Sequence, residues 1–207
     1  MVNNKSIGIA ICSFYGAIAL AFIAQILFNV LGLWNLSRPI WIILNIICSA
    51  SMACIAFNKS IKSSLPCQIG ATILSASFAV YTVNLFLSYA DINIWDFLGQ
   101  YSGIITRIIE LIAAFMLFYF IKAWMPVKIF AIVYGILDLC STCLNKIAFD
   151  LTKKTSDWSL VDELFNAAEI CAYLQIALAI LTVVFTLIWI KKKPTVAHIQ
   201  SNPIDIL

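Results

Sequence analysis

Apolar residues fall along this chain in six blocks, and polar residues collect in the gaps between them. A helix rising 1.5 Å per residue needs about 20 apolar residues to cross a hydrocarbon core. The pattern predicts spans over about 7–33, 39–57, 66–90, 94–121, 127–149 and 160–190. The fold class expected is therefore all-α: a polytopic integral membrane protein with a six-transmembrane-helix bundle. Residues 1–193 would form a single membrane domain, followed by a short cytoplasmic tail over 194–207.

Local signals accompany the helix starts. Ser37 and Ser64 stand just before Pro39 and Pro66, where a hydroxyl can cap orphan amides, and Pro126 opens the fifth span. Ser159 with Asp162 and Glu163 places a cap and acids at the positive end of the sixth helix dipole. The first span begins like a secretory leader, with Lys5 and the small residues Ala17, Ala19 and Ala21. Its apolar run continues to Leu33, so an uncleaved helix is expected.

Charge sets the expected direction. With six alternating helices, Lys5, Lys59, Lys62, Lys122, Lys128 and Lys191, Lys192 and Lys193 share one side. The other side carries Arg38, Lys153 and Lys154 among Asp91, Asp96, Asp150, Asp157, Asp162 and Glu163. Basic residues favour the cytoplasmic face, which puts both termini there and fits a plasma (inner) membrane protein. The tryptophans agree as interface anchors: Trp34, Trp41, Trp95 and Trp158 outside, Trp124 and Trp189 inside.

Composition narrows the class. With 63% hydrophobic residues, the chain is too apolar for a soluble domain, which runs at roughly 45–50%. A mean hydropathy of +0.99 says the same. The net charge of +3 sits at helix ends, where topology explains it, so no nucleic-acid partner is expected. The single histidine, His198, lies in the tail, leaving no ligand for haem or a histidine-bound metal within the spans. No cofactor is expected.

Polar residues inside the spans favour the outer half and recur at helical spacing. They include Gln25 and Asn29 in the first span, Asn45 in the second, and Ser77, Tyr81, Asn84 and Ser88 in the third. The fourth span has Gln100, Gly103, Arg107, Glu110 and Ala114 in one stripe. The fifth has Tyr134, Asp138, Ser141 and Asn145 beside Lys146, and the sixth has Asn166, Glu169 and Tyr173. Polar groups in hydrocarbon are costly, so such stripes usually face one another or water.

Counting residues puts Arg107 roughly 15 Å, and Glu110 and Asp138 roughly 15–20 Å, below the outer boundary. Arg107 and Glu110 share a face at a spacing of three, and Asp138 supplies a second acceptor for the planar guanidinium. Unpaired, each charge would cost roughly 2.5–3.5 kcal/mol. Arg107, Glu110 and Asp138 are thus the candidate site. A secondary outer polar site would comprise Gln25, Asn29, Asn45, Asn84, Gln100, Asn145, Lys146, Asn166 and Glu169, with Lys146 and Glu169 as a second pair.

Cys140-Ser-Thr-Cys143 has the spelling of a redox pair. It falls inside the fifth helix, toward its carboxy end, where the dipole does not lower a thiol's pKa. No phosphate loop, nucleophile elbow or zinc-binding histidine pair occurs, so enzymatic chemistry is not the leading expectation.

Three functions follow in order. The first is a small solute-binding or transport protein or subunit, its polar pocket open to the non-cytoplasmic side above the Arg-carboxylate cluster. The second is a non-catalytic membrane interaction protein (assembly partner, sensor subunit or toxin-immunity factor) in which the buried charges are structural. The third is a membrane thiol-disulfide protein using Cys140 and Cys143. The partners implied are the lipid bilayer, a small-molecule solute from the outer side, and another membrane protein.

Overall fold

Six helices long and apolar enough to span a membrane make up nearly all of the computed structural model, which describes residues 4–58, 64–94, 99, 101–154 and 158–191. They are α1 (Asn4–Leu31), α2 (Trp34–Ala56), α3 (Leu65–Leu87), α4 (Ser102–Phe120), α5 (Met125–Thr152) and α6 (Trp158–Lys191). A single 3-10 turn, Ser88–Ala90, extends α3. No strand occurs among the described residues. Gln100, Trp95, Asp96, Asp157, Lys59, Lys62, Lys192, Lys193 and the 194–207 tail, all used in the sequence reading, lie outside those residues.

Each helix packs on its neighbours in chain order, and α6 closes on α1, so the six form a ring. Successive helices run in opposite directions. The start of α3 meets the end of α4 at Gly70, where an added β-carbon would overlap the Ala113 carbonyl oxygen and lie 2.9 Å from the Leu117 nitrogen. That close approach of backbones is the usual role of small residues between membrane helices. Halfway along, Ser49 of α2 and Ser75 of α3 each donate to the other's carbonyl oxygen at 2.9 Å.

Two turns show how the chain reverses. Gly32 takes φ 69° after α1, and the Leu33 amide donates to the Phe28 carbonyl at 3.0 Å. Asp91 repeats the arrangement after α3 at φ 56°, with the Ile92 amide on the Leu87 carbonyl at 3.1 Å. Both satisfy helix-end carbonyls through a left-handed residue.

Several boundaries differ from expectation. α2 starts at Trp34 and carries Pro39 inside it, so Ser37 and Pro39 do not mark its start. Ser64 occupies the cap position of α3 but makes no side-chain cap bond. Gly99, at φ 87°, interrupts any helix running from 94, and α4 therefore begins at Ser102. Pro126 does open α5, as its fixed φ favours.

The half of the bundle nearest the chain's two ends is the better packed. Ile11, Met52, Cys67, Ala71, Ala113, Leu117 and Phe118 are all fully buried there, with Tyr15 close behind. The opposite half leaves Leu27, Val30, Leu31, Leu33 and Phe86 exposed. Around the whole outside, large apolar side chains such as Leu20, Ile112, Phe115, Val184 and Leu187 face outward. An apolar exterior of this extent suits lipid and identifies an integral multi-pass membrane protein.

Candidate functional site

Arg107, Glu110 and Asp138 meet where α4 and α5 face α3. One guanidinium nitrogen of Arg107, Nη1, lies 2.6 Å from Glu110 Oε2 and 3.1 Å from Asp138 Oδ2. The first contact follows from the three-residue spacing on α4; the second ties α4 to α5. The guanidinium plane also lies over the Tyr81 ring of α3, 5.1 Å from its centroid. Three helices are thus joined through one side chain, a use that suits the planar, permanently charged arginine. Arg107 lies about 7.5 Å along α4 from its start at Ser102.

The cluster borders a cavity of about 390 Å³ inside the ring. α1 contributes Ala17, Ile18, Ala21 and Phe22; α2 contributes Trp41, Leu44, Asn45 and Cys48. Phe78, Tyr81, Asn84 and Leu85 come from α3, Arg107 from α4, and Tyr134 and Asp138 from α5. The cavity extends from the level of Cys48 and Tyr134 toward the end of the bundle bearing the α1–α2 turn. Beneath it, a recess of about 40 Å³ adds Glu110, Tyr15, Leu111 and Ala114 to shared walls at Arg107, Tyr134 and Asp138. Tyr15 roofs the packed half from the other direction, its hydroxyl 3.5 Å from the Ala131 carbonyl oxygen.

The secondary polar residues divide. Asn45 and Asn84 reach the cavity wall, yet both carry local bonds: Asn45 Nδ2 donates to the Trp41 carbonyl at 2.8 Å, and Asn84 Oδ1 accepts the Ile94 amide at 2.8 Å. Gln25, Asn29, Asn145, Asn166 and Glu169 are exposed and line neither cavity. The expected Lys146–Glu169 pair does not form. Lys146 instead meets Asp150 one turn along α5 at 2.8 Å, and Glu169 accepts the Tyr173 hydroxyl at 2.5 Å. Both side chains find partners on their own helix.

The α6 stripe therefore faces away from the ring's interior. Among the polar residues α6 does bury is Gln175, 2% exposed, which the sequence reading did not select. It lies six residues from Glu169, about 240° around the helix, so the exposed stripe gives no hint of it. Trp41 packs edge-on against Phe22 at 6.1 Å and forms part of the cavity wall. Cys140 and Cys143 are free thiols within α5, the first exposed and the second half-buried.

The fold and its apolar surface define the class: a helical, multi-pass membrane protein with an internal polar cluster. Comparison with family descriptions, curated proteins and solved structures gives no match, so the site's own chemistry carries the functional argument.

Proposed function

We propose that this protein is a small membrane binding or transport protein, or a subunit of one, that receives a solute from the non-cytoplasmic side. The observation that carries this reading is the 390 Å³ cavity with the Arg107 cluster in its wall. Its volume falls within the range of small-molecule sites, and a few convergent polar groups in a mainly apolar, aromatic lining are the usual recipe for one. The direction rests on the lysines: Lys5, Lys122, Lys128 and Lys191 lie at the end opposite the α1–α2 turn, which supports a cytoplasmic side for that end.

A second reading has its own support. Arg107, Glu110 and Asp138 satisfy much of one another's charge without a ligand, as structural glue between helices would. In that case the protein is a non-catalytic partner of another membrane protein.

One experiment separates the two. The purified protein in detergent is screened against metabolites by thermal midpoint, alongside Ala21→Phe. Ala21 is 2% exposed and lines the cavity, so the new ring takes up ligand space. A ligand at a hundred times its Kd stabilises by about 2.7 kcal/mol. The solute reading expects at least one compound to stabilise the wild type and not Ala21→Phe, with the variant itself about 1–3 kcal/mol less stable than wild type. If no compound stabilises either protein, the structural reading takes its place.

A further inference from the structure

Charge and shape at the cluster narrow the solute. We infer that it is a protonated primary amine on a compact apolar body, its ammonium head in the recess between Glu110 and Asp138. This rests on the solute-binding reading above.

The charge count comes first. Counted formally, one guanidinium faces two carboxylates, a balance of one negative charge, and the aromatic and carboxamide walls add none. An incoming monocation neutralises it; an anion would leave two negative charges in excess in a poorly solvated space, which the low local dielectric penalises.

Glu110 supplies the second observation. It is 8% exposed, and its Oε1 is buried with no hydrogen-bond partner among the described residues while Oε2 holds Arg107. A buried carboxylate oxygen without a donor is costly, and the residue lines the recess. An ammonium brings three donors and no acceptor, which suits a recess with carboxylates of two helices in its wall.

Size supplies the third. The recess of about 40 Å³ offers space on the scale of one or two waters, a fit for a compact head group such as a primary ammonium. The larger cavity above, walled by Phe22, Trp41 and Phe78, takes the apolar body.

The test uses the wild-type protein, a Glu110→Gln variant and four probes matched in body: 2-phenylethylammonium, its N-trimethyl analogue, 2-phenylethanol and 3-phenylpropionate. Thermal midpoints are titrated with each in detergent at neutral pH. The primary ammonium is expected to bind at least about tenfold more tightly than the alcohol, a charge-assisted bond's worth of preference, and more tightly than the trimethyl form. Glu110→Gln is expected to remove most of that preference; if it does not fold, the wild-type ranking decides alone. A ranking led by the carboxylate or the alcohol, equal binding of the trimethyl form, or no response to any probe overturns the amine assignment. Should the metabolite screen still yield a ligand blocked by Ala21→Phe, the solute reading survives without it.

Discussion

The two halves of this bundle use the same helices differently. Toward the chain's ends, small residues bring backbones together and large apolar side chains fill the space: Gly70 against Ala113 and Leu117, Met52 and Ile11 wholly buried. Toward the opposite end the helices stand apart, and a cavity with Arg107 and Asp138 in its wall occupies the gap, with Glu110 in the recess beneath. In lipid there is little hydrophobic gain in bringing helices together, so association relies on close packing and polar contacts. The packed half uses the first and the open half the second. The packed half thus holds the ring together while the open half keeps space and charge available.

That contrast fails most completely if the backbone contact of α3 and α4 is lost. Gly70→Leu forces a side chain into the Ala113 carbonyl, which is backbone and cannot swing aside. The expected result is loss of monodisperse folded protein on size-exclusion chromatography. A well-folded Gly70→Leu protein would mean that the packed half is not the part holding the ring.

Next in size is Arg107→Ala. It leaves Glu110, with a side chain only 9% exposed, beside Asp138 without a counter-ion. Breaking a buried pair from one side costs about 3–5 kcal/mol, and the partial exposure of Arg107 puts the expected loss near the lower figure. Adding Glu110→Gln and Asp138→Asn removes the stranded charges, and most of the thermal midpoint should return. If it does not, the packing of Arg107 on Tyr81 outweighs its charge.

Smaller still is a matched pair of truncations. Met52→Ala, at a fully buried position, should cost about 3 kcal/mol, because its neighbours cannot collapse into the void. Leu85→Ala, on the cavity wall, adjoins space that already exists, so about 1 kcal/mol or less is expected. Denaturant titration of both in the same detergent measures the difference. Equal losses would show that the open half is as tightly packed as the other.

Much of this was legible in the sequence, for identifiable reasons. The number of helices follows from block length alone. Arg107 and Glu110 were readable because three residues on a helix fix a shared face, and Asp138 because partners for a lone buried arginine are few. Tyr81 and Asn84 lay on a stripe that does reach the interior. The α6 stripe had the same spacing and faces out, because periodicity reports that a helix has a polar face and not which neighbour it meets. Lys146 was assigned a distant partner when Asp150 stood one turn away, and a flexible ammonium takes the nearer carboxylate. The contact of Trp41 with Phe22 was not legible, because it is set by how α1 and α2 cross.

Gln175 marks the border between the halves and provides the smallest test. It stands midway along α6, 2% exposed, and its Nε2 has no hydrogen-bond partner among the described residues. A buried amide left unsatisfied costs about 1–3 kcal/mol, whereas an apolar side chain of similar volume costs nothing of that kind. Gln175→Leu is therefore expected to raise stability by about 1 kcal/mol, seen as a modest rise in thermal midpoint. Two residues of α6 below it, Thr182 and Thr186, are fully buried yet donate within their own helix at 2.7 and 2.6 Å, so they carry no such penalty. Their replacement by Val should leave the midpoint almost unchanged. A drop of a kilocalorie or more for Gln175→Leu, with the threonine variants neutral, would place a polar partner at Gln175, and the open half's polar character would then extend past the midpoint of α6 into the packed one.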